Sequence, residues 1–269
     1  MTTTLFEDSD LDGFGAAPQD LCTDGNGAVG FVATGGDNCE QDANADQFDD
    51  DNDGVGDVCD NCPTVANTDQ SNLLEAGADG IGDACDPRST TGGDAISFFD
   101  SFHVDGFPDW TASGSWLVAA GPNGAVAQTQ NNGNGVLRKN GLSAGDVVVE
   151  AEILRVGSDA RIGVAARLDA ADNGVGCIVQ KGSGTNFTLR LVPLIQGQVG
   201  DVIALSSNFT LPAGAFTLSL DARGNTVTCT RGTTTVSGTT TATAPGGVGM
   251  LASSARGAFN RAIAYLIPG

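Results

Sequence analysis

The stretch that decides the architecture of the first third of the chain is DQFDDDNDGVGDVCDNCPTVAN, residues 46–67. It carries five aspartates from Asp49 to Asp57, two cysteines and few large apolar residues. Carboxylates at this density repel one another, and a segment so poor in apolar side chains cannot offset its chain entropy by burying a core. The segment is therefore either disordered or held together by something other than a hydrophobic core.

The aspartates follow the spacing of an EF-hand-like calcium loop. Loop positions 1, 3, 5, 6, 7, 9 and 12 are occupied by Asp49, Asp51, Asp53, Gly54, Val55, Asp57 and Asp60. Calcium takes about six to eight oxygen ligands in irregular geometry, so closely spaced carboxylates suit it. A solvated acidic linker is the alternative, but a random acidic run would not keep a glycine at position 6 between regularly spaced acids. The spacing predicts calcium binding.

The motif is repeated along the acidic half. One unit starts with DNC at Asp37 and ends at Asp60, where a second unit starts with DNCP and ends at Asp86. Residues 7–86 therefore resemble thrombospondin type 3 repeats, whose pattern is DNCPxxxNxxQxDxDxDGxGDxCD. The first unit departs from this pattern only at Glu40, which replaces a proline.

The second unit departs further from the repeat pattern. Three extra residues follow Gln70, and its loop begins with Glu75 and has Gly77 at position 3. We expect a weaker or rearranged metal site there.

A partial loop precedes both units, since DSDLDGFG, residues 8–15, repeats the front half of the motif. It is similar to related metal-binding repeats of bacterial surface proteins. Its position 12 is Gln19, with Asp20 beside it, so the sequence leaves its closing ligand open.

These resemblances imply that the acidic half holds several Ca²⁺ ions. The implied metal-binding residues are Asp8, Asp10, Asp12, Phe14, Asp37, Asn44, Asp49, Asp51, Asp53, Val55, Asp57, Asp60, Asn67, Glu75, Asp79, Ile81, Asp83 and Asp86.

The seven cysteines divide five to two between the halves of the chain. The repeat family pairs each DNC cysteine with the next GDxC cysteine, which implies Cys39–Cys59 and Cys62–Cys85 and leaves Cys22 over. Zinc at Cys59-x-x-Cys62 is the alternative, but zinc needs further cysteine or histidine ligands and carboxylates crowd this site instead. Disulfides indicate an oxidising compartment, and we expect an extracellular or cell-surface protein.

Charge divides the chain at the same place. Residues 1–93 hold 21 acidic residues and one basic residue, Arg88, whereas residues 94–269 hold 12 acidic and 11 basic residues. We predict acidic repeats over 1–86, a linker over 87–93 and a second domain over 94–269. A strongly acidic chain repels phosphate, which argues against nucleic acid as a partner. Because no run of eighteen apolar residues exists, we expect no membrane insertion. MTTTLFEDSD also lacks the features of a signal peptide.

The second half shows the period-two alternation of antiparallel strands. Examples are VVVEAEI at 147–153, RIGVAARL at 161–168 and FTLSLDAR at 216–223. The order of these runs resembles bacterial concanavalin A-like/laminin G-like jelly rolls. The predicted fold is mostly β, with a calcium- and disulfide-stabilised repeat segment followed by a two-sheet antiparallel sandwich. Cys177 and Cys229 lie in two predicted strands, where either a disulfide or two buried thiols would fit.

The catalytic candidates are weak. Glu150 and Glu152 share one strand face and have the separation of a glycosidase pair, but the third acid of such strands is missing. Arg161 and Arg167 on a neighbouring strand offer cross-strand charge pairing instead. The single histidine, His103, has no nucleophile elbow to serve. We expect no enzymatic activity, no catalytic residue and no bound cofactor besides calcium.

The sequence thus favours a structural or adhesive protein, a calcium-stiffened spacer joined to a sandwich. Self-association, at a cell surface or into a filament, or binding to other surface proteins would suit the edge-prone segment Val227–Ala244 and an extended tail at Thr2–Phe6. Glycan binding is the alternative function, although Trp110 and Trp116 stand at positions that favour core packing.

Overall fold

The computed structural model describes residues 2–22, 28–75, 77, 79–103, 108–114, 116–121, 124–129, 135–156, 161–253 and 257–268. The regular elements in these ranges are all β-strands, which confirms the predicted fold class. In chain order they are β1 (Thr2–Glu7), β2 (Pro18–Cys22), β3 (Phe31–Val32), β4 (Ala95–Asp100), β5 (Trp110–Ser113), β6 (Trp116–Gly121), β7 (Gly124–Thr129), β8 (Gly135–Lys139), β9 (Val147–Val156), β10 (Arg161–Leu168), β11 (Gly174–Lys181), β12 (Asn186–Ile195), β13 (Gln198–Val199), β14 (Ala204–Leu205), β15 (Phe209–Thr210), β16 (Phe216–Arg223), β17 (Thr226–Arg231), β18 (Thr234–Thr239), β19 (Gly247–Ser253) and β20 (Gly257–Leu266).

The chain divides into two compact units, Met1–Gly92 and Gly93–Gly269. The first unit contains one small antiparallel sheet in the order β2-β1-β3. Since β1 pairs with β2 along Thr2–Phe6 and with β3 at its end, the expectation of a free tail at Thr2–Phe6 is wrong. The threonines and the phenylalanine of this segment favour a strand, but they do not identify the strand's partner.

Disulfides form the centre of the first unit. Cys39–Cys59 and Cys62–Cys85 are both present, which confirms the pairing implied by the repeat family and excludes the Cys59-x-x-Cys62 zinc site. Cys39 and Cys62 are 3% and 0% exposed, and the remaining cysteine, Cys22, is free and exposed. The described part of this unit buries few large apolar side chains, so the bridges take the place of a hydrophobic core.

The second unit is a sandwich of two antiparallel sheets. One sheet, called sheet D here, has the order β13-β12-β11-β10-β19-β8-β5, with β14 and β15 also paired to β12. The other, sheet C, has the order β18-β17-β16-β9-β20-β7-β6, with β4 also paired to β20. The segment Val227–Ala244 contains β18, an outer strand of sheet C, as its composition predicted.

The core lies between the inner faces of the two sheets. Along β16, Leu218, Leu220 and Ala222 are fully buried, whereas the alternating Ser219 and Asp221 are not. A disulfide joins Cys177 on β11 to Cys229 on β17, so it links sheet D to sheet C through this core. Of the two alternatives, the bridge is therefore correct, and it restrains the sheets against separation.

Cross-strand pairing of Arg161 and Arg167 with the glutamates of β9 is not observed. β10 belongs to sheet D, whereas β9 lies in sheet C between β16 and β20. Two consecutive alternating runs look the same in sequence whether they form a hairpin or cross between sheets, and here the chain crosses.

Arg167 is instead a buried structural residue. It has a positive φ of 56° at the irregularity between β10 and β19, and its side chain is 1% exposed. Its guanidinium donates to the carbonyl oxygens of Gly145 (2.7 Å), Gly224 (2.6 Å) and Ala242 (3.0 Å) and pairs with Asp146 at 3.2 Å. One side chain thus satisfies backbone carbonyls of three separate loops.

We predict that Arg167→Met lowers the free energy of unfolding of the second unit by about 3 kcal/mol or more, because it leaves buried carbonyls without their donor and removes the ion pair with Asp146. Arg223→Met is the matched control, since Arg223 pairs with Asp221 near the surface and its loss should cost less than about 1 kcal/mol. Chemical denaturation followed by tryptophan fluorescence reports on this unit, which holds both tryptophans of the chain. Equal losses of unfolding free energy in the two variants would contradict the structural role of Arg167.

No helix among the described residues has the length and apolar character needed to cross a membrane.

Candidate metal centres

In three loops of the first unit, the carboxylate at position 1 accepts hydrogen bonds from amides of its own loop. In the first two, the position 1 carboxylate accepts from the amides at positions 4 and 6: Asp8 from Leu11 and Gly13 at 2.8 and 3.3 Å, and Asp49 from Asn52 and Gly54 at 2.8 and 2.9 Å. Glu75, at position 1 of the third loop, accepts from the amide of Asp79 at 3.1 Å. The glycines at position 6 (Gly13, Gly54 and Gly80) have φ near 95°, a conformation that favours glycine.

Each loop brings carboxylates together. Ligand atoms of Asp8, Asp10 and Asp12 lie within 4.8 Å of one another, as do those of Asp49, Asp51 and Asp53. The third group is Glu75, Asp79 and Asp86, and it lacks an acid at position 3 because Gly77 stands there. The donor set of this third group therefore differs from those of the first two, and the weaker or rearranged metal site expected there stays a prediction.

Several of these oxygens are buried without a hydrogen-bond partner. They are Asp10 Oδ2, both carboxylate oxygens of Asp51 and Glu75 Oε2, one set in each loop. Glu75 is only 9% exposed as a residue. A buried carboxylate oxygen without a donor is costly unless a cation faces it.

The electrostatics of the loops agree with this geometry. Burial, together with the neighbouring Asp60, Asp53 and Asp49, raises the pKa of Asp51 to about 6. Burial and adjacent acids likewise raise the pKa of Asp10 and Glu75. Hard oxygen ligands in groups of this kind suit a divalent cation such as calcium, and the donor sets therefore fit the predicted ion.

Asp37 takes the backbone position in the first loop that Asp60 and Asp86 take in the other two loops. In the second and third loops, the amides of Asp60 and Asp86 donate to the carbonyls of Gly56 and Gly82 at 2.9 and 3.1 Å. In the first loop, the amide of Asp37 makes the equivalent bond to Gly15 at 3.4 Å. Asp37 is also among the acids that raise the pKa of Asp10. Neither Gln19 nor Asp20 takes this place.

The residues between Gly15 and Asp37 are an insertion in the first loop. They include β2 and β3, and a parallel bridge between Gly15 and Gly35 brings the ends of the insertion together. Counting loop positions along the chain therefore fails here. The signal that would have found Asp37 is the DNC motif, because the equivalent Asp60 both closes one loop and starts the next unit.

The asparagines and glutamines of the repeat motif form its frame. Asn44 Nδ2 donates to Asn38 Oδ1 at 2.7 Å, and Gln47 Nε2 donates to Asn44 Oδ1 at 2.8 Å. Asn67, Asn61 and Gln70 repeat this arrangement at 2.7 and 3.1 Å. The side chains of Asn44 and Asn67, which the resemblance places among the metal ligands, are thus engaged with the frame.

The acids at position 9, Asp57 and Asp83, accept hydrogen bonds from backbone amides at the start of the loop or just before it. Asp57 accepts from the amide of Asp50 at 2.9 Å, and Asp83 accepts from the amides of Leu73 and Leu74 at 3.1–3.2 Å. These bonds lower the pKa of Asp83. Among the described residues, neither acid belongs to a group of three carboxylates within 4.8 Å. Both hold the backbone that leads into the loop.

The position 5 aspartate joins each of the first two loops to the repeat that follows it. Asp12 Oδ2 accepts from the amide of Asn44 at 3.0 Å, and Asp53 Oδ2 accepts from the amide of Asn67 at 2.7 Å. The other oxygen of each carboxylate accepts at 2.8 Å from the amide at position 7, Phe14 or Val55. Ile81, at position 7 of the third loop, donates to Asp79 at 3.1 Å. Consecutive loops are therefore mechanically coupled.

We predict that Asp37→Asn lowers the number of bound calcium ions by one. Asp20→Asn, which makes the same change of charge, should leave the number unchanged. Asp37 lies beside the first carboxylate group, but Asp20 pairs with Thr4 on β1. Isothermal titration of calcium into both variants and the parent chain measures the difference. If Asp20→Asn lost the ion and Asp37→Asn did not, Asp20, which lies beside loop position 12 in the sequence, would be the closing ligand instead of Asp37.

The catalytic candidates of the second unit have structural partners. Glu152 accepts from Asn260 Nδ2 at 2.7 Å and pairs with Arg261 at 3.5 Å. Burial raises the pKa of Glu150, and a hydrogen bond with the Ser219 side chain opposes the rise. His103 follows β4 and is half-buried.

The two tryptophans pack as predicted. Trp110 is 6% exposed, lies edge-on to Phe98 with ring centroids 5.5 Å apart, and donates to Asp100. Trp116 packs against Phe259 at 5.9 Å. Both rings therefore contribute to the core instead of forming an exposed platform for sugars.

We predict that Glu150→Gln stabilises the second unit at pH 8 and leaves it unchanged near pH 4. A raised pKa means that the folded state holds the proton more tightly, so stability is full below the ordinary value of 4.5 and falls as pH rises through the folded pKa. Glu152→Gln is the control and should lose a little stability at pH 8, because it removes the pair with Arg261. Thermal unfolding at both pH values checks this, and destabilisation by Glu150→Gln at pH 8 would refute it.

No protein-family model matches the sequence, and no curated protein is similar to it. The likeness of residues 7–86 to thrombospondin type 3 repeats therefore rests on the motif residues alone. Solved structures do match the fold. A Bacillus subtilis protein of unknown function with a galectin-like fold matches with a TM-score of 0.51 at 12% identity, over 64% of this chain and 96% of that one.

Two further solved structures resemble the chain at lower scores. They are the carbohydrate-binding module CBM66 from Bacillus subtilis (TM-score 0.47, 20% identity, 56% of this chain and 92% of that one) and the exoplasmic/lumenal domain of VIP36 in its Ca²⁺/Man3GlcNAc-bound form (0.48, 10%, 64% and 92%). At these identities the likeness defines the fold alone. The second unit has a galectin-like β-sandwich fold.

Proposed function

We propose that this chain is an extracellular calcium-binding protein with a structural or adhesive role, in which the first unit is a spacer ordered by several calcium ions. The observation that carries the proposal is the orphaned, buried carboxylate of Asp51 between Asp49, Asp53 and Asp60. Such a cluster is unfavourable without a cation and favourable around one.

The ions would be held by the carboxylates of the three loops together with the position 7 carbonyls. The first site uses Asp8, Asp10, Asp12 and Asp37, the second uses Asp49, Asp51, Asp53 and Asp60, and the third uses Glu75, Asp79 and Asp86. Bound calcium supplies positive charge that offsets the repulsion among these groups. The residues of the frame hold the loops in register while the ions bind.

The disulfides support an extracellular location. Two bridges lie in the first unit and one lies in the core of the second, and bridges of this kind persist in oxidising compartments. Calcium at such locations is present at about millimolar concentration, which suits loops of the extracellular affinity class. Ions and bridges together replace the hydrophobic core that the first unit lacks.

The second unit would pack against a neighbour or a surface, and the proposed role is non-catalytic. Self-association is our preferred form of it, because β18 is an outer strand whose residues Thr234–Thr239 carry no charge. Uncharged outer strands favour pairing with another chain. The contact cannot use Thr2–Phe6 as a free donor strand, since β1 is already paired inside its own sheet.

Glycan recognition by the second unit is the second candidate. The observation that favours it is a pair of arginines on the outer face of sheet D, Arg161 and Arg190, with no acidic partner among the described residues. A galectin-like fold admits such a site, although the fold alone does not assign one.

Chelation tests the main proposal. We predict that removing calcium makes the first unit sensitive to limited proteolysis while the second unit stays intact, because about twenty negative charges then repel in a segment without a core. Asp53→Asn should reproduce part of this sensitivity in the presence of calcium. Asp42→Asn, an exposed acid outside the loops, is the matched control.

Equal resistance of the first unit with and without chelator would overturn the calcium proposal. Electron microscopy of the full chain in millimolar calcium then tests assembly separately. Monomers that bind a sugar on a glycan array would favour the second candidate over self-association.

A further inference from the structure

Four polar residues form a cluster on the outer face of sheet D. The strand register places Arg161 on β10 opposite Gln180 on β11, and Gln180 opposite Thr188 on β12. Arg190, two residues further along β12, lies opposite Ile178. Since directly opposed residues of an antiparallel sheet share a face, the cluster spans three adjacent strands of a rigid sheet.

The cluster has an excess of positive charge. Burial and the nearby Arg161 lower the pKa of the Arg190 guanidinium. Arg190 Nε donates to Thr188 Oγ1 at 3.1 Å, and no carboxylate among the described residues lies within ion-pair distance of Arg161 or Arg190. Two half-buried like charges that no described carboxylate offsets are unfavourable, and an anion between them would relieve the repulsion.

Gln180 adds an unmet polar group. Its Oε1 is buried and has no hydrogen-bond partner. Buried amide oxygens are nearly always paired, so this atom also calls for a ligand donor beside the two guanidinium groups. Together the cluster offers charged donors, a hydroxyl and an acceptor, which is a combination that one small ligand would satisfy.

The other outward arginine of sheet D gives the contrast. Arg138 lies on β8, pairs with Asp172 at 3.3 Å and donates to the carbonyl of Asp169 at 2.7 Å. Its charge is therefore already compensated. The apolar residues Ile178, Val192 and Leu251, which are 0–2% exposed, separate the uncompensated cluster from this end of the sheet. The low polarity of these neighbours strengthens any ion pair that a ligand makes.

We propose that Arg161, Gln180, Thr188 and Arg190 form a binding site for an anionic saccharide, whose carboxylate or sulfate group lies between the two guanidinium groups. Planar guanidinium groups bind such oxyanions in a bidentate manner, and Gln180 and Thr188 suit the adjacent sugar hydroxyls. A long polyanion is disfavoured, because the chain has a formal net charge of −21, so the ligand is a short saccharide with isolated charges. This site deepens the glycan candidate for the second unit and does not depend on the calcium loops.

The test is isothermal titration of the full chain in calcium with three trisaccharides: one that contains glucuronate, one that carries a single sulfate ester and one that is neutral. We expect at least one anionic sugar to bind ten or more times tighter than the neutral one. Arg161→Gln and Arg190→Gln should each weaken that binding about tenfold or more, since each removes a charged hydrogen-bond donor. Arg138→Gln is the matched control and should leave it unchanged.

The outcomes separate the ligand chemistries and the proposals. Binding of the glucuronate sugar alone assigns a carboxylate site, and binding of the sulfated sugar alone assigns a sulfate site. If neither anionic sugar binds, the proposed anionic saccharide site is overturned. Equal binding of the neutral sugar, unchanged by Arg161→Gln and Arg190→Gln, also overturns it but leaves glycan recognition in place. Thermal unfolding of each variant shows that the sandwich is folded during the titration.

Discussion

Repulsion among closely spaced carboxylates is the constraint on which the first unit depends. Its loops fold so that Asp49, Asp51 and Asp53 converge, and burial together with neighbouring acids raises the pKa of Asp51 to about 6. The turn that brings the carboxylates together is fixed by backbone amides and by a glycine at position 6. The backbone is thus organised around oxygens that lack a partner, and a cation is the partner that they suit.

The same carboxylates also transmit order along the chain. One carboxylate oxygen of Asp53 accepts a hydrogen bond from an amide of its own loop, and the other accepts one from an amide of the following repeat. Asp12 does the same. Asp37 and Asp60 each stand at the end of one loop and at the start of the next repeat. The repeats are therefore not structurally independent, because loss of one loop removes hydrogen bonds from the repeat that follows it. The disulfides Cys39–Cys59 and Cys62–Cys85 restrain each repeat even when such hydrogen bonds are lost.

The second unit has the opposite design. It is held by a large apolar core between two sheets, by the Cys177–Cys229 bridge and by the buried Arg167, and none of these depends on a metal. Its strands are then free to carry different chemistry on their outer faces. Sheet C presents paired groups such as Glu152 and Arg261, whereas sheet D presents Arg161 and Arg190, for which the described residues supply no acidic partner. Function on such a fold comes from sites on its faces and not from the fold itself.

The sequence by itself determined what is local. Loop spacing predicted the convergence of Asp49, Asp51 and Asp53 because all lie within one turn, and period-two alternation predicted the strands because each residue's side follows from its neighbours. Only the tertiary structure decided which strands pair, that β1 is internal to its sheet, and that Asp37 closes a loop across β2 and β3. These contacts join residues separated by intervening chain, and their partners are selected by packing in space, which spacing along the sequence does not encode.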